Sequence, residues 1–110
     1  MYYNLQLTIG SLIKKRKMSF TQWRKFQKEV SALALSFPHE WSEVHRGTNR
    51  IWTGKLELSY KISIFSEEPF IITDEFKTQL HELSKKYNQD AIALTIAESF
   101  LSDELVKGGE

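Results

Sequence analysis

The eleven residues HRGTNRIWTGK, at positions 45–55, contain the side chains best suited to hold a charged ligand. The candidate ligand-binding residues are His45, Arg46, Thr48, Asn49, Arg50, Trp52 and Lys55. Arginine forms paired hydrogen bonds with phosphate oxygens, an indole stacks on a flat ring, and hydroxyl and amide groups add further hydrogen bonds. This chemistry suits an anionic, nucleotide-like small molecule. The same residue types also suit a turn that only reverses the chain, and that alternative stays open.

Positive charge is concentrated in the first half of the chain, although the net charge is only +1. Residues 1–55 carry ten Lys and Arg against three Glu, or +7, whereas residues 56–110 carry five against eleven, or −6. The basic half includes Lys14, Lys15, Arg16 and Lys17, followed by Arg24, Lys25, Lys28, Arg46, Arg50 and Lys55. We expect the run at 14–17 to add electrostatic attraction for phosphate groups, unless these side chains are simply dispersed in solvent.

Signatures of catalysis and of metal binding are absent from the sequence. The three histidines form no His-Glu-x-x-His pattern, and no glycine-rich phosphate loop or nucleophile elbow occurs. The chain has no cysteine, which excludes disulfides and thiolate zinc sites and fits a cytosolic protein. We therefore predict no catalytic residue, no metal and no cofactor. The alternative is a small dimeric enzyme of the monooxygenase or isomerase type, whose pocket would use Asn4, Gln6, His45 and Tyr60.

Local patterns predict the elements that position these residues. Residues 2–9 alternate apolar and polar side chains, as in a strand with one buried face. Ser19 with Gln22 three residues later predicts a capping box at a helix start, and Pro38 ends that helix. Residues 41–52 are extended but irregular, with Gly47 suited to a positive φ angle or a bulge, and residues 53–55 turn the chain.

Apolar stripes predict which side chains these elements bury. The first helix should bury Trp23, Phe26, Val30, Leu33, Ala34 and Phe37. A second helix, which begins after Thr73 or Asp74, should bury Phe76, Leu80, Leu83 and Tyr87. The strand KLELSYKISIF should bury Leu56, Leu58, Tyr60, Ile62 and Ile64, with its other face wet or covered by a partner. A last strand should bury Ile92, Leu94 and Ile96.

The predicted elements follow the βαββαβ order of a ferredoxin-like fold, in the α+β class. We expect a four-stranded antiparallel sheet with both helices on one face. A single domain should occupy residues 1–100, with a flexible tail over residues 101–110. In the alternative, residues 41–52 form a loop and the sheet has three strands.

The chain also resembles a small uncharacterised bacterial and phage family with ferredoxin-like folds. The resemblance covers residues 2–98 and rests on QWRKF at 22–26, SFP at 36–38, Gly47 followed by Trp52, a long strand with Glu57 and Lys61, and YNQDAIALTI at 87–96. It implies the fold and often a dimer, and it brings no established chemistry. The SLIKKRKMS loop is more basic than expected of that family.

These features favour a binding protein without catalysis. Our hypothesis is a cytoplasmic homodimer that sequesters an anionic, nucleotide-derived small molecule, similar in size and character to phage proteins that capture nucleotide signals of host immunity. A nucleic-acid backbone or a host protein is the alternative partner. An RNA-recognition domain is disfavoured, because the solvated face of the long strand offers only Phe65 for base stacking. No apolar run approaches the ~20 residues of a membrane-spanning helix, so we expect no membrane partner.

Overall fold

The computed structural model describes residues 1–13, 16–52 and 54–101. At positions 12, 13, 48–50, 52 and 55 it describes only the backbone. The described residues form eight helices and strands. The elements are β1 (Tyr2–Gly10), β2 (Leu12–Ile13), β3 (Arg16–Lys17), α1 (Phe20–Leu35), β4 (Trp41–Trp52), β5 (Lys55–Ser66), α2 (Asp74–Lys86) and β6 (Ala93–Ser99). Residues 102–110 of the predicted tail lie outside the described residues, so the tail stays a prediction.

The main sheet has four strands in the order β4-β5-β1-β6, and every neighbouring pair is antiparallel. β2 and β3 form a separate two-stranded ladder between β1 and α1. The predicted ferredoxin-like arrangement is confirmed. The three-stranded alternative is wrong, because residues 41–52 form the edge strand β4 and pair with β5.

The hydrophobic core lies between the two helices and one face of the sheet. Three fully buried β1 residues, Leu5, Leu7 and Ile9, face this side. The sheet and helix residues that join them are Tyr60, Ile62, Ile64, Trp23, Phe26, Val30, Ala34, Phe76, Leu80, Leu83 and Tyr87. Leu33 and Phe37 pack against this cluster while partly exposed. Both predicted helix stripes are therefore confirmed as core. We call the other side of the sheet the open face.

The predicted capping box starts α1. The Ser19 side chain accepts a hydrogen bond from the backbone N–H of Gln22 at 3.2 Å, and the Gln22 side chain returns to the Ser19 backbone. Each side chain thereby satisfies a backbone donor that the helix itself leaves unpaired. Thr73 caps α2 in a similar way, accepting from the Phe76 N–H at 3.1 Å.

A β-bulge interrupts β4 at Gly47. The backbone register passes from Arg46 opposite Tyr60 to Thr48 opposite Ser59, which leaves Gly47 as the extra residue. Gly47 has a φ of 70°, a conformation that glycine adopts without the steric cost a side chain would bring. The predicted bulge is confirmed. It shifts by one residue the alternation of strand positions between the two faces of the sheet.

The sheet departs from the predicted burial pattern beyond the bulge. Leu56 and Leu58 are 64% and 40% exposed, because this distal part of β5 extends past the helices that cover its other apolar residues. On the open face, Glu57 is only 3% exposed and Ser63 only 2%. The open face of the central strand is therefore mostly shielded within one subunit rather than wet.

The last strand lies at the opposite edge of the sheet from β4. Ile92, predicted for this strand, lies just before it, and it packs partly buried against the core together with Leu94, whereas Ile96 is 47% exposed. An edge strand has a neighbour on one side only, which explains the weaker burial of Ile96. Among the described residues, no helix is both long enough and apolar enough to cross a membrane.

Candidate functional site

A cleft of about 420 Å³ opens between α1 and the edge strand β4. Its volume lies within the range usual for small-molecule sites. The residues that line this α1–β4 cleft are Arg24, Gln27, Lys28, Ser31, Ala32 and Leu35 from α1, Ser42, Val44 and Arg46 from β4, and Tyr60 and Ile62 from β5. Helix α1 presents these side chains because its apolar stripe turns towards the sheet and leaves the flank beside β4 to polar residues.

Three of the lining residues are cations, and none of the described lining residues is acidic. Arg24 and Lys28 are four residues apart on α1, so they project from the same flank of the helix. Arg46 faces them from β4. Three positive charges around one concave surface focus a field that attracts an anion.

Arg46 is oriented by the residue opposite it. Its guanidinium lies over the ring of Tyr60, 5.8 Å from the ring centroid, at a pair of positions that the backbone register places side by side. Tyr60 is 2% exposed, and its hydroxyl lies 2.6 Å from the Ser31 hydroxyl. This hydrogen bond ties α1 to β5 and gives Arg46 a fixed aromatic platform at the cleft floor.

The sequence-predicted site residues do not all meet at this cleft. Arg46 lines it, whereas His45 is in register with Lys61, a residue of the open face. Thr48, Asn49, Arg50, Trp52 and Lys55 have a described backbone only: Thr48 pairs with Ser59, Asn49 with Leu58, Arg50 with Glu57, and Trp52 with Lys55. After the bulge, position 50 is thus in register with an open-face residue, while Arg46 is in register with a residue of the helix-covered face.

The basic run at 14–17 is described in part. Arg16 and Lys17 form the exposed strand β3, and Lys14 and Lys15 lie outside the described residues. The role of these four residues in electrostatic attraction stays a prediction.

The residues considered for an enzyme pocket fall on two sides of the sheet. Tyr60 faces the helices and lines the α1–β4 cleft. Asn4, Gln6 and His45 alternate with core-facing neighbours and so belong to the open face. These four side chains therefore do not share one pocket.

Arg24 and Lys28 are cleft residues that the sequence analysis counted only as part of the basic half. Their signal is a spacing of four residues on one flank of the predicted helix, next to the buried residues Trp23 and Gln27. The sequence does not show which flank of α1 lies beside β4, because that depends on how the helix is placed over the sheet.

A second concave surface lies between α1 and α2, with a volume of about 350 Å³. At its edge, Lys86 donates a hydrogen bond to Glu29 over 2.5 Å. Burial alone would raise the pKa of Glu29. Hydrogen bonds from the Lys86 and Tyr87 side chains and the positive charges of Lys86 and Lys25 outweigh the effect of burial, so the pKa is lowered. Burial and the adjacent Glu29 carboxylate raise the pKa of Tyr87 to about 12. These contacts join the two helices and lie apart from the cation cluster.

Comparison with known proteins adds a structural likeness but no family. No family model matches the chain, and no curated protein sequence matches it. Among solved structures, a phage SAM lyase in complex with S-methyl-5′-thioadenosine aligns with a TM-score of 0.52 and 18% sequence identity, over 88% of this chain and 81% of that chain. A phage SAM lyase in the apo state aligns with a TM-score of 0.49 and 14% identity, over 90% and 92% of the two chains. At this identity, the likeness to the first of these structures supports the fold.

Proposed function

We propose that this protein is a non-catalytic binding protein that sequesters an anionic, nucleotide-derived small molecule in the α1–β4 cleft. The observation that carries the proposal is the convergence of Arg24, Lys28 and Arg46 on one cleft whose described lining has no acidic residue. Guanidinium and ammonium groups in this arrangement suit phosphate oxygens. Arg50 and Trp52 are left out of this site, since the bulge places their backbone in register with residues of the open face.

The structural likeness bears on the ligand class. The neighbour with the higher TM-score is a phage protein in complex with a thioadenosine nucleoside. A ferredoxin-like scaffold of similar extent is therefore compatible with a nucleoside-type ligand, and a phage protein that withholds a nucleotide from its host is part of our proposal.

A thermal-shift panel tests this function. Adenosine, adenosine monophosphate (AMP), adenosine triphosphate and S-methyl-5′-thioadenosine are each added to the purified protein, and the ligand is recovered by heat. We expect the phosphorylated compounds to raise the melting temperature by mass action, by several degrees at about 100 times Kd, and to be recovered unchanged. Lys28→Ala should reduce the shift, whereas Lys77→Ala, which removes an exposed cation on α2 outside the cleft, should not.

Two results would contradict the proposal. A chemically altered ligand would mean that the protein is an enzyme. A melting temperature unmoved by every phosphorylated compound would reject an adenosine phosphate as the ligand and leave a nucleic-acid backbone or a host protein as the alternative partner.

The homodimer is also part of our proposal, with the exposed β4 edge of the open face as its interface. Exposed Glu43 on β4 and half-buried Lys61 on β5 place opposite charges on this edge, which suits a second copy related by a two-fold axis. Light scattering should give the mass of two subunits, and Lys61→Glu should lower it. The charge swap Glu43→Lys with Lys61→Glu should restore the dimer. A wild-type mass of one subunit would reject this interface.

A further inference from the structure

The two ends of the α1–β4 cleft differ in chemistry. The strand β4 runs antiparallel to α1, because β4 and β1 share one direction and α1 returns between them. Along the cleft, Arg46 therefore lies closer to the N-terminal end of α1 than Val44 does, on the side of Arg24 and Lys28. One end of the cleft is basic.

The other end has two aliphatic side chains together with the hydroxyl of Ser42. Leu35 is the last residue of α1 and is 43% exposed, and Val44 on β4 is 44% exposed. Ala32 lies between Lys28 and Leu35 along α1, and its small side chain leaves room in the cleft. Partly exposed aliphatic side chains around a concavity favour contact with a flat or apolar group over contact with water.

Hydroxyl groups lie in the middle of the cleft. Ser31 is half-buried and shares a hydrogen bond with the Tyr60 hydroxyl, whereas Gln27 lies between Arg24 and Lys28 at the basic end. Each of these groups both donates and accepts hydrogen bonds, as a sugar hydroxyl does. Basic, polar and apolar groups thus follow one another along a single cleft.

Resting on the proposed function, we propose that the ligand is a nucleoside monophosphate bound in one direction, with its phosphate between Arg24 and Arg46 and its base between Leu35 and Val44. A phosphate monoester carries close to two negative charges at neutral pH, which the three cations more than neutralise. Inorganic phosphate would leave the apolar end unused, and a neutral nucleoside would leave the cations without a partner. The proposal therefore predicts a ranking of affinity as well as a direction.

Isothermal titration with AMP, adenosine and inorganic phosphate tests the direction of binding. We expect AMP to bind tightest. Arg46→Ala should weaken AMP by about tenfold or more and leave adenosine unchanged, because it removes a charge-assisted contact to phosphate alone. Leu35→Ala should weaken AMP and adenosine by the same factor, because both carry the base. Lys77→Ala on α2 is the matched control and should change neither.

The outcomes separate this inference from the proposed function. If AMP binds but Arg46→Ala weakens adenosine as much as AMP, or Leu35→Ala weakens inorganic phosphate, the direction is wrong while binding stands. If none of the three compounds binds, the monophosphate inference fails, and the proposed function fails with it only if the thermal-shift panel is also negative. Lys28→Ala provides a second basic-end variant, and the melting temperature of each variant confirms that it is folded.

Discussion

Arg46 is the single side chain on which the proposed function depends most. It is exposed, and the protein contacts described for it are limited to the face of Tyr60, so Arg46→Ala should lower the free energy of unfolding by less than about 1 kcal/mol. Trp23→Ala, which truncates a residue only 9% exposed, should cost about 3–5 kcal/mol. Urea unfolding measures both. A loss above about 2 kcal/mol for Arg46→Ala would assign the arginine to stability rather than to binding.

Gly10 leaves space for the carboxylate of Glu57. A Cβ atom built on Gly10 would overlap the carboxylate of Glu57, which is itself 3% exposed on the open face. Gly10→Ala should therefore displace a buried charged group and cost on the order of 1–3 kcal/mol in urea unfolding. In the Glu57→Ala background the space is free, so the same change should cost much less. Equal costs in both backgrounds would show that the carboxylate does not occupy that space.

The Tyr87 hydroxyl predicts how stability changes at alkaline pH. Its folded-state pKa is raised from 10.0 to about 12, so its contribution is complete below pH 10 and is lost as the pH rises towards 12. Tyr87→Phe keeps the ring that stacks on Phe26 at 4.5 Å but has no proton to lose. Urea midpoints on either side of this pH window should therefore fall more for the wild type than for Tyr87→Phe. Identical losses would refute the assignment.

The lowered pKa of Glu29 predicts that folding stability has the opposite dependence on pH, in the acid range. Its folded-state pKa is lowered below 4.5, so its contribution is present above that pH and is lost as the pH falls through the lowered value. The ion pair is partly exposed, with 38% of the Glu29 side chain and 60% of the Lys86 side chain accessible. Solvent therefore limits this contribution.

At the scale of the elements, α1 depends on its capping box. Ser19→Ala removes the acceptor for the Gln22 N–H and should cost about 1 kcal/mol in urea unfolding. Thr21→Ala, at an exposed position in the first turn, is the matched control and should change stability by a few tenths of a kcal/mol at most. A Ser19→Ala protein as stable as the control would mean that the cap does not stabilise the helix.

The helices were predictable from the sequence because their determinants are local. The Ser19 cap and the spacing of Trp23, Phe26 and Val30 are properties of neighbouring residues, and the structure confirms them. The strand order followed from the number and kind of elements, since a βαββαβ chain has few ways to pair its strands without a crossing.

The site was less predictable because it depends on contacts between distant segments. Arg46, Arg50 and Trp52 are separated by even numbers of residues, so in a regular strand all three positions would belong to the same face of the sheet. Because Gly47 is an extra residue, positions 50 and 52 are instead in register with the face opposite to that of Arg46. Arg24 lies more than twenty residues from Arg46 in the chain and meets the same cleft only through the placement of α1 on the sheet.

At the scale of the whole molecule, the fold brings together part of the excess positive charge of residues 1–55. Of the ten Lys and Arg in residues 1–55, seven belong to β3, α1 and β4, and the cleft between the last two elements collects three of them. Acidic residues of the second half, such as Glu82 at the groove between the helices, lie on other surfaces. An anion approaching the molecule is therefore steered towards α1 and β4.

A crystal structure of the protein grown with AMP would test the central claim most directly, because it locates the ligand. We predict density for AMP between α1 and β4, with phosphate oxygens within hydrogen-bonding distance of the Arg24 and Arg46 guanidinium groups. Density for AMP elsewhere on the subunit, or an α1–β4 cleft that holds only water at a saturating AMP concentration, would contradict it.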